Sequence, residues 1–141
     1  MNRRERSAIL AAAASDEVKR IAQAIQERHD IQILKEPQKT LVMVKVRESV
    51  QGALFYLGEV LATESMVVVD GAKGASVVGG DDFEKCTALA VIDGYFNLPE
   101  AEGKDVIEQE IIKLKTAQKQ AREAINRELR RSQVNFNVMG E

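Results

Sequence analysis

The sequence predicts an α+β fold: a four-stranded antiparallel sheet in meander order, covered by helices, with a helical segment before it, a long helix after it and a short extended tail. Three observations predict it. The spacing of apolar residues changes from 3.6 to 2 after His29. Glycines and an Asp-Gly pair cut the following region into strand-length pieces. From Gly103 to Arg131 the chain consists largely of strong helix formers, with neither Pro nor a further Gly.

Residues 4–28 are predicted to be helical, because Leu10, Ala14, Val18, Ile21 and Ile25 recur at helical spacing. Ser15 suits the N-cap of a second helix whose first turn carries Asp16 and Glu17, so a break is foreseen there. The basic start followed by alanines has a faint look of a secretory leader, but Glu5 interrupts it and a helix fits better.

The sheet is placed at 39–79. Val42, Val44 and Val46 alternate with Met43, Lys45 and Arg47, as in a strand with one buried face, and Pro37 marks its start. Further strands are expected at about 52–63, 66–69 and 75–78, with Asp70, Gly71, Lys73 and Gly74 forming a hairpin connection. Asp81 with Glu84 has the form of a capping box, opening a covering helix at 81–97 that Pro99 stops. Its Phe83, Cys86, Leu89, Ala90 and Phe96 should lie on the sheet.

In the helix at 103–131, Ile107, Ile111, Leu114, Ala121, Ile125 and Leu129 lie close to one seam that Gln118 interrupts. At about 1.5 Å per residue it spans about 42 Å, whereas a compact globule of this length measures about 37 Å across. The tail at 132–141, where Val134, Phe136 and Val138 alternate with polar residues, is then expected to meet another chain.

The 141 residues fit one domain, 1–141, with a core of Ala, Val, Ile and Leu since Trp is absent. Twenty basic residues stand against 22 acidic ones, so no net field favours nucleic acid or an anionic membrane. No apolar run has the length of a membrane span. A single cysteine, Cys86, forms no internal disulfide and fits a reducing, cytoplasmic compartment.

Catalytic chemistry finds little support. GAKGAS lacks the Walker spacing, and in GGDD the two aspartates would repel a phosphate at the helix start. The Gly71–Gly74 match to a KH-type G-x-x-G joins strands rather than helices. His29, at a helix end, is expected to cap carbonyls, and Cys86 to be an inert core thiol. No catalytic, cofactor-binding or metal-binding residue is assigned. Two carboxylates stand out, Glu59 in mid-strand and Asp93 on an apolar helix face, with Arg47 as an available partner. A structural pair is the favoured reading; a charge presented to a subunit interface is the other. Candidate interface residues are Ile111, Leu114, Ile125, Val134, Phe136 and Met139.

The segments FYLGEVLATE, VDGAKG, VVGGDDFEKCTALAVIDGYF and SQVNFNVM, in that order, resemble the PhnG family, the G subunit of the bacterial carbon-phosphorus lyase system. The resemblance covers about Leu41 to Phe96 and residues 132–139. It implies a small cytoplasmic α+β subunit acting in a core complex with H, I and J subunits and with accessory K and L proteins. It implies a part in converting ATP and a phosphonate to a ribose 1-phosphonate 5-triphosphate plus adenine. ATP would be a substrate of the complex, and the iron-sulfur cluster and S-adenosylmethionine would belong to the J subunit, so this chain would bind no cofactor. The family's usual ending, S-R-V-[DE]-F-F-T-M, is altered here by Gln133, Asn135, Asn137 and Val138. An alternative reading is a free-standing adaptor that dimerises through the Ile107 to Leu129 seam.

Overall fold

The computed structural model describes the backbone of residues 1–139 and the side chains of residues 1–133. The chain divides into two compact units, Met1–Lys104 and Asp105–Glu141.

In the first unit, α1 (Arg3–Ala12) and α2 (Ser15–Gln26) precede β1 (Ile31–Arg47), β2 (Leu54–Val69), β3 (Ala72–Gly79) and α3 (Phe83–Asn97). The foreseen break at Ser15 is present, but Ala14 takes the cap position and Ser15 the first helical one. Asn2 caps α1 by accepting the Glu5 N–H at 2.8 Å. Asp82, not Asp81, caps α3 by accepting the Lys85 N–H at 3.0 Å, which frees Glu84 to pair with Lys19 at 2.9 Å.

The sheet has three strands in the order β1-β2-β3, all antiparallel, not four. The two middle strands expected at 52–63 and 66–69 are one continuous β2. The polar residues between them do not turn the chain, because their side chains are satisfied in place: Thr63 Oγ1 donates to the Gly80 carbonyl at 2.8 Å and Ser65 Oγ to that of Lys35 at 3.2 Å. β1 begins at Ile31 rather than near residue 39, and Pro37 falls in the register irregularity between Lys35 and Gln38 on this edge strand. The β2–β3 turn is only Asp70-Gly71, both at positive φ (45° and 88°), because Val69 pairs with Ala72; Lys73 and Gly74 belong to β3.

Thr63, Ser65, Val67 and Val69 of β2 and Gly74, Ser76 and Val78 of β3 form the buried face of the sheet. Helix α3 packs on it, and α2 and α1 pack on α3. Being covered on both sides, α3 is buried from Ala88 through Tyr95, including Asp93. Val18, Ile21 and Ile25 of α2 complete the core, each such side chain stabilising by about 1.5–3 kcal/mol on burial.

Helix α4 (Lys104–Met139), apart from its first residue, makes up the described part of the second unit. The extended tail expected after Arg131 is replaced by helix as far as Met139. Residues 132–139 contain neither Pro nor Gly, so nothing local stops propagation, and the alternation of Val134, Phe136 and Val138 is too weak a strand signal to override it.

Candidate functional site

The buried carboxylate of Asp93 is held by three hydrogen bonds. Its Oδ1 accepts from Arg3 Nε at 2.8 Å and its Oδ2 from Arg3 Nη2 at 2.7 Å, while the Ala75 N–H donates to Oδ2 at 3.0 Å. The pair fastens α1 to α3 and β3 with a bidentate fork. Arg47, the partner considered from sequence, is elsewhere: it donates to the Gly52 carbonyl at 2.7 Å. Arg3 lies in a basic run that reads as solvated surface, so sequence alone offers no signal for it. Beside it, the Arg6 guanidinium sits 4.1 Å from the Phe96 ring centroid, a cation–π contact.

His29 does not cap a helix. Its Nδ1 lies 2.6 Å from Asp70 Oδ2, and its ring meets Tyr95 edge-on at 5.4 Å. Asp70 Oδ1 also accepts the Asp30 N–H at 2.9 Å, so the β2–β3 turn is tied to the start of β1. The Asp30 amide first, and His29 second, lower the Asp70 pKa. The Lys85 amide, then the Ser15 hydroxyl, lower that of Asp82, and Lys35 and Gln38 lower that of Glu64. A carboxyl with a depressed folded pKa contributes stability that is complete above its unfolded value, near 4, and is lost as pH falls through the folded value. The urea midpoint is therefore expected to drop steadily below about pH 4, and Asp82→Asn to make the drop shallower. A midpoint that stayed level down to pH 3 would contradict this.

Cys86 is wholly buried. Its Sγ lies 3.2 Å from the Thr63 carbonyl and 3.4 Å from Ser76 Oγ, and burial pushes its pKa up, away from thiolate chemistry.

The far half of the β1–β2 hairpin is left open to solvent. β3 ends opposite Ala62, and beyond that point β1 and β2 continue alone as a two-stranded arm. The register divides its side chains into two faces. One carries the pairs Leu41–Leu61, Met43–Glu59, Lys45–Tyr56 and Arg47–Leu54; the other carries Thr40–Ala62, Val42–Val60, Val44–Gly58 and Val46–Phe55. Leu41, Leu54, Tyr56 and Leu57 are 58–67 % exposed, as is typical of side chains without a neighbouring layer. Glu59 stands exposed on the first face, opposite Met43, with Arg47 at the far end of that face. The expected alternation of a half-buried strand is thus present in sequence but has no layer beneath it.

On α4 itself, Ile111 is buried, Leu114 half-buried and Ile125 exposed, as is Leu129. The side chains of Val134, Phe136 and Met139 lie outside the described residues. Among the described residues no cluster of His, Cys, Asp and Glu gathers as metal ligands, and no helix is long and apolar enough to cross a membrane.

Fold and surface together define an α+β protein whose polar interior contacts serve packing and whose hairpin arm presents apolar side chains to water. The chain belongs to the family described as "Phosphonate metabolism protein PhnG", whose profile matches residues 1–140. Its part is thus in phosphonate metabolism. No curated protein matches the sequence.

Proposed function

We propose that this chain is a non-catalytic but required subunit of the carbon-phosphorus lyase core complex, acting in the cytoplasm beside H, I and J subunits with accessory K and L proteins. In the reaction, an alkylphosphonate oxygen forms a bond to the ribose C1′ of ATP as the glycosidic C–N bond breaks. The products are adenine and an α-D-ribose 1-alkylphosphonate 5-triphosphate. The chain binds no cofactor by itself; ATP is a substrate of the complex, and the iron-sulfur cluster and S-adenosylmethionine serve the J subunit.

Beyond family membership, the observation that carries this reading is the arm. A solitary protein has no use for so much apolar surface in water, whereas a subunit needs it. Glu59, exposed on that arm, is then a charge offered to a neighbour, while Asp93 is structural. The test is adenine release from ATP and methylphosphonate by the reconstituted subunits with and without this chain. Omission should abolish it, and full activity without the chain would refute the role.

One observation favours a second reading, a self-associating adaptor: Ile125 and Leu129, on the predicted seam, are 58 % and 57 % exposed. Sedimentation of the isolated chain separates the two, since a stable homodimer that ignores the other subunits supports the adaptor.

A further inference from the structure

We infer that the β1–β2 arm is clasped on both of its faces by an apolar cleft in a different protein, one wall of which carries carboxylates over Lys45 and Arg47. The inference rests on the subunit reading above and adds the element that docks and the manner of docking.

The amount of surface comes first. Between Leu41 and Leu61, ten large apolar side chains are exposed, from 39 % at Val42 to 86 % at Val50. At roughly 150–200 Å² apiece, such exposures sum to about 1,000 Å², more than the roughly 800 Å² that each partner contributes to a standard interface. A two-stranded ribbon is also marginal in water without a packed layer. Both backbone edges are open here, β1 along its outer side and β2 from Leu54 to Val60, beyond the 3.0 Å bond from the Gly80 N–H to the Leu61 carbonyl.

Yet the arm is built, not frayed. At its tip the Glu48 carboxylate accepts the N–H groups of Val50 at 3.2 Å and Gln51 at 2.9 Å. Glu48 and Ala53 close the turn through a 2.8 Å backbone bond, and Arg47 braces it at Gly52. A preformed element loses less entropy on docking.

The distribution of side chains selects the occupant. Both faces carry exposed apolar side chains, so a second copy laid on one face would leave those of the other in water, and edge-to-edge pairing of two arms would leave both. A membrane is disfavoured by the tip, where Arg47, Glu48 and Gln51 would have to enter hydrocarbon first. The face of Val42, Val44, Val46, Phe55 and Val60 carries no charge and requires a purely apolar wall. The opposite face carries Glu59 in mid-arm and, toward the tip, Lys45, 5.1 Å above the Tyr56 ring, and Arg47, so its wall is expected to be acidic at the tip end.

The test uses single cysteines in the full chain, Leu41→Cys on one face and Val60→Cys on the other. Each is labelled with a maleimide in the isolated protein and in the assembly that co-purifies with it, and unfolding midpoints confirm that the variants fold. Buried Cys86 serves as the silent background. Both positions should react rapidly in the isolated chain and at least 100-fold more slowly in the assembly. Stoichiometric co-purification with either position still reactive would overturn the two-sided clasp while leaving the subunit reading intact. Failure to recover any stoichiometric partner would overturn both. Protection of both positions in a homodimer of the isolated chain would assign the arm to a second copy and overturn the inference. Lys45→Glu should weaken assembly about tenfold; undiminished affinity would refute the acidic wall.

Discussion

Gly74→Ala is expected to destabilise the fold by about 3 kcal/mol or more, a large share of the roughly 5–15 kcal/mol that holds a domain folded. A Cβ at position 74 would lie 2.1 Å from the Ala90 carbonyl oxygen, 2.4 Å from the Gly94 nitrogen and 2.7 Å from the Gly94 Cα. All three are backbone atoms of a helix that is itself buried, so no side chain can swing aside; α3 would have to lift from β3. That lift would lengthen the Ala75 N–H contact to Asp93 and open the seam over Val67, which pairs with Gly74. The urea midpoint is the readout. Gly79→Ala provides the control, since a Cβ there meets nothing within 4 Å, and its midpoint should move little. Equal behaviour of the two variants would mean that helix and sheet are not in this close contact.

Asp93→Asn is expected to cost about 1.5–3 kcal/mol, the range for hydrogen bonds to a charged group. An amide cannot accept from both Arg3 nitrogens and the Ala75 N–H as a carboxylate does, and its own N–H₂ would face donors. Arg3→Ala should cost less, because the arginine side chain is 60 % exposed and the carboxylate only 8 %. Unfolding curves for both single variants and the double variant give the coupling. The same measurement decides between the two readings of Asp93. If the residue serves packing, stability falls; if it presents a charge to a neighbour, stability holds and only assembly suffers.

Local signals carried much of this far. The 3.6-residue recurrence of Leu10, Val18, Ile21 and Ile25 placed the first helices, and Asp70-Gly71 placed the β2–β3 turn, because these depend on neighbours in the chain. The errors share one physical origin. Thr63 and Ser65 look like a strand boundary until their hydroxyls find the carbonyls of Gly80 and Lys35, partners 17 and 30 residues away. His29 looks like a helix cap until Asp70, 41 residues on, is brought beside it. Arg3 and Asp93 are separated by 90 residues, so their pairing has no local trace, and Arg47 was the nearer but wrong candidate.

The arm shows the same division most plainly. Alternation of Val42, Val44 and Val46 implies a strand with one buried face; the strand is there, but Val42 is exposed and Val44 and Val46 are only half-buried. Alternation reports only which side chains share a face; whether a layer lies beneath depends on how far α3 reaches over the sheet. By itself, then, the sequence determined the periodicities, the caps to within a residue, the turn and the α+β class, all properties of short stretches governed by backbone sterics and side-chain spacing. Tertiary structure alone decided that two strands were one, that Asp93 belongs to Arg3, and that β2 outruns β3. Each of these depends on contacts between residues far apart in the chain, which no short stretch records.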